Sequence, residues 1–253
     1  MSEFKLPSEI ITLPSKGLNL YPEENILNTG EVEMKYMGAK QEDILTNANY
    51  IRQGVVIDRL LESMILTKID FNDLLVGDKN AILVAARVLG LGKDYTVSWM
   101  NNDGKVIKSV ADLSILSDKV VDRELLLNSK NSFKLELPVS KNNITFRLLT
   151  HGDEQLISKD IQGLKKLFPD QEFNVSVKLK SMITSVNGDT NKATVSEFVD
   201  AAFIKNDIDA FLDYYSKISP DIDMKFIPSD SDYTGEGIII TPGLDFFWSK
   251  LGI

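Results

Sequence analysis

Residues 230–235, which read Asp-Ser-Asp-Tyr-Thr-Gly, are the stretch whose residue types and spacing best suit chemistry. An aspartate at the end of a buried strand can attack phosphorus as a nucleophile. Here Pro228 and Ser229 precede the first aspartate, and few residues follow the stretch to supply the rest of such a site. A divalent-ion-dependent hydrolase using Asp230 and Asp232 is therefore kept only as the alternative from a different functional class.

The same stretch has polar residues at alternate positions, as calcium-binding loops do. Asp230, Asp232 and Thr234 would provide the first ligands of such a loop. The position of the last ligand is occupied by Thr241, where a calcium loop needs a bidentate glutamate. We therefore predict a solvated turn that joins two strands, and no metal site.

The single histidine of the chain, His151, precedes Gly152, Asp153 and Glu154. An imidazole beside carboxylates can act as a general base. The position just before a predicted helix gives the two acids a simpler role, since negative charge in the first turn complements the helix dipole. We expect a capping or surface histidine, no catalytic residue and no enzymatic activity.

The composition excludes several classes of protein. The 253 residues contain no cysteine, so there is no thiolate for zinc, iron–sulfur or haem sites, and one histidine offers little to other transition metals. Lysine and arginine number 28 against 37 acidic residues, a net charge of −9, whereas nucleic-acid phosphates require clustered positive charge. We predict no cofactor and no nucleic-acid partner, and favour protein surfaces as partners.

Two further patterns bear on location. The longest apolar run, residues 81–92, contains Arg87 and is shorter than the roughly 20 residues that cross a bilayer. The start, Met1-Ser2-Glu3, lacks the basic and apolar regions of a signal peptide. We expect no membrane span and a cytosolic product.

Residues 1–30 are predicted to be an extended arm, because prolines and turn residues interrupt them repeatedly. The arm carries too many apolar residues for a free tail. It either packs on its own domain or docks on another subunit, where an extended segment can add to a sheet edge. The candidate docking residues of the arm are Leu13, Pro14, Leu18 and Tyr21.

Residues 31–253 are predicted to be one α+β domain, which the pattern allows to divide into two lobes, 31–130 and 131–253. Helical periods occur from Ala39, over residues 57–65 and after Asp78, and again from about Gly152 to Pro220. Pairs of β-prone runs flank polar turns near Gly104 and after Val139. Because no regular βαβ spacing appears, we predict two helical layers with short β-hairpins.

The tail closes on three consecutive aromatic residues, Phe246, Phe247 and Trp248. Each aromatic side chain can bury about 150 to 250 Å², and three in a row cannot all face one small core from a single strand. We therefore add them to the arm residues as candidate partner-binding residues. The alternative is that the tail wedges into the protein's own core.

The ordered set of such features resembles the T4-type bacteriophage baseplate hub family, whose members are structural or assembly proteins of contractile tails. The resemblance runs nearly from end to end. It is carried by Leu13-Pro14-Ser15-Lys16-Gly17, Tyr21-Pro22, Gly30-Glu31-Val32, Gln41 to Asn47, Gly54 with Ile57-Asp58, Asp78 with Arg87 and Gly90, Phe146 to Thr150, Val186-Asn187-Gly188, Phe198-Val199, Ser219 to Met224 and the aromatic triplet.

The resemblance implies a non-enzymatic component or assembly factor of the baseplate hub that acts through protein contacts. Its partners would be hub, tape-measure or tube-initiator proteins, in the host cytoplasm during assembly and in the virion baseplate if it is retained. An assembly chaperone absent from the mature virion is the alternative.

Relatives carry CxxC-like pairs that suggest a zinc ribbon, but residues 98–102 and 227–230 contain no cysteine here. A cysteine-free ribbon would need packing by Trp99, Met100, Phe226 and Ile227 in place of the metal.

Overall fold

The computed structural model describes residues 7–101, 103–230, 232–243 and 246–247. The arm begins with strand β1, Ser8–Thr12, which pairs antiparallel with strand β2, Glu31–Lys35. Between the strands the chain folds back at Gly30, whose φ is 74°. A Cβ on Gly30 would lie 2.7 Å from the backbone nitrogen of Gly17, so only glycine permits this close approach. The described part of the arm is thus built into the domain.

A helical layer follows β2. Its helices are α1 (Ala39–Leu45), α2 (Ala48–Gln53), α3 (Val56–Met64) and α4 (Val76–Leu91). The Asn47 side chain caps α2, and Gly54, with a φ of 70°, ends it. α3 buries Leu60, Leu61 and Met64 at the spacing predicted from the sequence. The first helical region is therefore confirmed.

The helical period that follows Asp78 predicts this residue as the N-cap of α4, and this prediction is wrong. The helix starts two residues earlier, at Val76, and its N-cap position is Leu75. The Asp78 side chain instead bonds to the arm, as described below.

The first predicted hairpin consists of strand β3, Asp94–Met100, and strand β4, Val106–Asp112. The two strands are antiparallel, with Met100 opposite Val106 beside the turn. Helix α5, Arg123–Ser129, follows and was not predicted from the sequence. Leu126 is its one buried residue, so α5 has no apolar stripe to reveal it.

The second helical region contains α6 (His151–Leu167), α7 (Asn174–Met182), α8 (Lys192–Glu197) with a π-helical turn after it, and α9 (Lys205–Ile218). A capping box starts α6, where Thr150 and Asp153 exchange side-chain to backbone hydrogen bonds. Thr194 and Glu197 have the spacing of a capping box, which predicts a helix start at Thr194. This prediction is wrong, because α8 begins at Lys192 with Asn191 as its cap.

A three-stranded antiparallel sheet lies beside these helices. Strands β5 (Phe133–Glu136), β6 (Asn143–Phe146) and β7 (Ile183–Val186) are arranged in that order. The pair β5 and β6 is the second predicted hairpin. The spacing of Leu179, Met182, Ile183 and Val186 predicts one helix that continues to Val186, which is wrong. α7 ends at Met182, and the residues after it pair with the second edge of β6.

Short strands β8 (Lys225–Phe226) and β9 (Ile238–Ile239) form the last hairpin. They confirm the strand-like pieces predicted in the tail. A single hydrophobic cluster extends from Leu13 to Phe247 and includes residues on both sides of position 130. Since the small sheets are antiparallel and the helices fall into two groups along the chain, the fold is α+β.

Candidate functional site

Four of the candidate docking residues lie in the arm, and all four are buried within the protein itself. They are Leu13, Pro14, Leu18 and Tyr21. The arm therefore packs on its own domain, which was one of the two alternatives. Partner binding by these side chains stays a prediction, and it would require them to leave the core.

The arm is fastened by Asp78, whose side chain is fully buried. One carboxylate oxygen accepts a hydrogen bond from the backbone N–H of Ser15 at 2.9 Å, and the other accepts from the Tyr21 hydroxyl. The hydroxyl oxygen of Tyr21 in turn accepts from the backbone N–H of Leu75 at 3.1 Å. Burial raises the pKa of Asp78. The pKa of Tyr21 is also raised, first by burial and then by the adjacent carboxylate of Asp78.

Two of the three closing aromatic residues, Phe246 and Phe247, have no exposed surface. Their rings contact each other at 5.7 Å, and the ring of Phe246 lies 5.1 Å from that of Tyr95 on β3. The tail thus wedges into the core, as the alternative held. Trp248, the third predicted docking residue there, lies outside the described residues.

The first of the two ribbon-like stretches contacts the turn that follows the second one. Trp99 is buried and its ring makes an edge contact with Tyr233 at 5.1 Å, while its indole N–H donates to Ser109 at 2.9 Å. Phe226 is also packed against the core. Met100 and Ile227 are exposed, so packing by these two side chains, as expected from the sequence, is wrong.

Residues 230–235 lie between β8 and β9. The carboxylate of Asp230 accepts a hydrogen bond from the backbone N–H of Asp232 at 2.9 Å, and the carbonyl of Asp230 accepts from Tyr233 at 3.1 Å. These bonds are those of a tight turn in which aspartate closes its own loop. Within the described ranges, no group of three or more acidic or histidine side chains is placed to hold a metal ion.

His151 is the centre of a buried polar cluster that joins three helices. Its Nδ1 lies 2.8 Å from the ammonium of Lys79 on α4, and its Nε2 lies 3.3 Å from the carboxylate of Asp58 on α3. Lys79 also pairs with Glu154 at 2.9 Å, and Gln155 contacts Nε2 at 2.9 Å. The expectation of a surface histidine is wrong, because the ring is enclosed by these side chains and by Phe71.

The pKa of His151 reflects opposing influences. Burial lowers it, and so does the nearby ammonium of Lys79, but the carboxylates of Asp58 and Glu154 outweigh both and raise the pKa above its usual value. A group with a raised folded-state pKa stabilises the fold fully below its unfolded value of about 6.5. That contribution is lost as the pH rises through the folded-state pKa.

We expect the imidazole of His151 to titrate above 6.5 in a ¹H–¹³C NMR pH series, where the one histidine of the chain gives an unambiguous signal. Asp58→Asn should lower this pKa because it removes an attractive charge. Lys79→Met should raise it further because it removes a repulsive one. A titration unaffected by both changes would contradict the assigned contacts.

A cavity of about 330 Å³ lies beside this cluster, between α6 and the start of α4. Its walls are mainly apolar and include Leu75, Leu149, Ile157 and Ile161. Glu154 faces the cavity but is already paired with Lys79. The cavity therefore lacks the converging polar groups of a binding site, and it lies where α6 buries few side chains against the rest of the protein.

Among the described strands, the hairpin β3–β4 exposes several apolar side chains on its outer face, here called the hairpin face. Its apolar side chains are Met100, Val106 and Val110, exposed to 68%, 65% and 62%. Met100 and Val106 are cross-strand partners, and Val110 lies opposite Thr96 on the same face. The opposite face of the hairpin is buried through Val97 and Trp99.

The apolar clusters of the sequence do not point to the hairpin face, because the members that the structure describes lie in the core. The alternation of side chains along β3 and β4 does indicate this face. If Val97 and Trp99 face inward, the period of two places Met100 on the outer face and Val106 beside it.

None of the helices in the described ranges is long and apolar enough to cross a membrane. No family model, no curated protein and no solved structure matches the chain.

Proposed function

We propose that the protein is a structural or assembly component of the baseplate hub of a contractile phage tail, and that it acts through protein contacts without catalysis. The ordered sequence features named above support this reading. Its partners would be other hub and tail-assembly proteins, such as the hub itself, the tape measure or the tube initiator. It would act in the host cytoplasm during assembly, and a structural subunit would then be part of the virion baseplate.

The positions of the residues that carry the resemblance favour a structural role. Ser15 and Tyr21 form hydrogen bonds with Asp78, and Gly30 packs against Gly17. The segments of the arm and of α4 that carry the resemblance therefore contact each other. These residues connect separate segments of the chain. They do not converge on a cleft, as residues of an active site would.

In the second half of the chain, residues of the resemblance also connect separate segments. Arg147 makes a two-pronged ion pair with Asp153, at 2.7 and 2.6 Å, which joins the end of β6 to the first turn of α6. Pro220 packs its carbonyl against Gly77 of α4, and Asp221 accepts a hydrogen bond from Asn80 at 3.0 Å. These contacts fix the arrangement of the elements.

The observation that carries the proposal of protein contacts is the hairpin face. A two-stranded sheet is only marginally stable alone and gains stability when a face is covered. Here one face packs on the protein, and the other presents two adjacent apolar side chains, Met100 and Val106, to solvent. Contiguous exposed apolar side chains mark interaction sites, and the core of a protein interface is more apolar than the rest of the surface.

The test is the double substitution Met100→Glu and Val106→Glu in a phage whose own copy of the gene is deleted. We expect co-purification with hub precursors to fall by about tenfold or more, because two charges would be buried at the contact. The stability of the isolated protein should fall by no more than about 1 kcal/mol, because both positions are exposed and the cost comes from two glutamates that face each other across the strands. Urea denaturation measures the stability and quantitative mass spectrometry the co-purification.

The matched control is Leu167→Glu, an equally exposed apolar side chain at the end of α6. It should co-purify like the wild type. Failure of the wild-type protein itself to associate with any tail-assembly protein would contradict the proposed function. Association with precursors but absence from purified particles would assign the protein as an assembly chaperone instead of a structural subunit.

A further inference from the structure

Strand β1 has one free edge. Glu33 of β2 lies opposite Ile10, and both backbone groups of Glu33 point away from β1: its N–H donates to Thr67 at 2.8 Å and its carbonyl accepts from Leu66 at 2.8 Å. In an antiparallel pair, opposite residues either bond to each other or both point outward. The N–H and carbonyl of Ile10 therefore point away from β2.

The flanking bonds give the same parity. The carbonyl of Pro7 accepts from Tyr36, and Leu13 donates to Gly30, so the odd-numbered residues of the arm bond to β2. Ser8, Ile10 and Thr12 are left with their backbone groups on the outer edge. Across the described residues, no backbone hydrogen bond reaches this edge.

The edge is accessible. All residues of β1 except Ile11 are exposed, and the side chain of Ile10 is 67% exposed. Proteins usually protect such an edge with charged side chains, especially lysine, with a proline or with a bulge. Between Ser8 and Thr12 β1 has no lysine, proline or bulge, its one charged side chain is that of Glu9, and its pairing with β2 is regular over all five residues.

The charges around the edge are mainly negative. Glu31 and Glu33 are exposed on the same face of the sheet as Ile10, and Glu9 is exposed at the edge itself. Lys35 is the one basic residue of the two strands. An incoming strand would therefore lie directly beside Glu9, with Glu31, Glu33 and Lys35 one strand further away on the face of Ile10.

From this geometry we infer that the outer edge of β1 binds an extended, basic segment of a partner protein, which adds to the sheet as a third strand. The partner's backbone bonds to Ser8, Ile10 and Thr12, and its apolar side chains lie on the face of the sheet that carries Ile11. Lysine or arginine residues alternate with the apolar ones, so their side chains lie on the face of Ile10 and compensate Glu31 and Glu33. This inference concerns a different surface from the hairpin face and does not rest on the hub role.

A second copy of the chain is a poorer occupant. A symmetric pair of β1 strands would place Glu9 of both copies at the contact and join two sheets that each carry Glu31 and Glu33 one strand behind it. Like charges placed together in this way oppose association.

The test uses a fluorescently labelled peptide of about seven residues, the length of a strand, in which lysine alternates with valine. Anisotropy should show saturable binding at low salt that weakens as salt is added. A peptide of the same length with glutamate in place of lysine keeps the apolar residues and reverses the charge. It should bind at least about tenfold more weakly.

The decisive variant is Ile10→Pro. Proline removes the outward N–H, and an edge strand tolerates it there because that N–H makes no bond within the sheet. The variant should bind the lysine peptide at least about tenfold more weakly than wild type. Ile10→Thr keeps the N–H and the strand preference, and it should lose less affinity. Thermal unfolding and circular dichroism establish that both variants are folded.

Amide hydrogen exchange of the wild-type protein tests the same contact without a substitution. Saturation with the lysine peptide should slow the exchange of the Ile10 amide, while the amides of Glu9 and Ile11, already bonded to β2, should change little. Equal binding by folded Ile10→Pro, or an unchanged Ile10 amide under saturation, would overturn the inference. So would self-association of the wild type through β1, seen by light scattering, without peptide binding.

Discussion

Gly77→Ala should destabilise the protein by about 3 kcal/mol, although alanine is the better helix former. A Cβ on Gly77 would lie 1.8 Å from the carbonyl oxygen of Pro220 and 2.9 Å from the Cα of Asp221. Both are backbone atoms, so no side-chain rotation can relieve the overlap. Either α4 or the segment after α9 has to move, and the bond from Asn80 to Asp221 holds that segment in place.

Gly163→Ala on α6 is the matched control. Nothing lies within 4 Å of a Cβ at Gly163, and the residue is within a helix. Alanine there should stabilise the protein by up to about 1 kcal/mol, through helix propensity alone. Urea denaturation of the two variants should therefore give midpoints on opposite sides of the wild type. A Gly77→Ala protein as stable as the control would show that the chain at Pro220 does not pack on α4.

Much of the fold could be predicted from local patterns. The alternation around the Gly104 turn predicted the hairpin β3–β4, and the spacing of Leu60, Leu61 and Met64 predicted α3. Residues 183–186 could not be assigned correctly in this way, because isoleucine and valine suit either a helix face or a strand. Their state is decided by the free edge of β6, which no local pattern reveals.

Where the candidate docking residues are buried could not be predicted for a related reason. Composition can show that Leu13 or Phe246 needs burial, but it cannot show whether its own domain or a partner provides it. For the arm that choice depends on Tyr21 and Asp78, which are distant in sequence and meet only in the folded protein. By contrast, exposure of Met100 follows from strand parity once the inward face is known.

Asp78→Ala should be among the most destabilising single changes in the chain, with a loss of about 3 to 4 kcal/mol. The substitution removes the acceptor of two buried donors, the backbone N–H of Ser15 and the hydroxyl of Tyr21. Hydrogen bonds to a charged acceptor contribute about 1.5 to 3 kcal/mol each, and donors left unpaired in a buried site add to the loss. The arm should then detach from α4.

Detachment of the arm has its own measurement. Lys16 is exposed, but it is held between Ser15 and Gly17 in a turn whose backbone packs against Gly30. In Asp78→Ala, limited trypsin digestion should cleave after Lys16 much faster than in wild type, at a temperature where both proteins remain folded. If cleavage and stability both stay at wild-type values, Asp78 does not fasten the arm.

Asp78→Asn separates the hydrogen bonds from the charge. It keeps the size of the side chain and one acceptor, but its amide cannot accept from the second donor, so we expect a loss of about 1 to 2 kcal/mol. Because burial raises the folded-state pKa of Asp78, the carboxyl stabilises the fold fully below its unfolded pKa of about 3.9. That contribution falls as the pH rises through the folded-state pKa. The stability advantage of wild type over Asp78→Asn should therefore shrink with rising pH, and an advantage that grows would show that the hydrogen bonds from Ser15 and Tyr21 outweigh the cost of burying the charge.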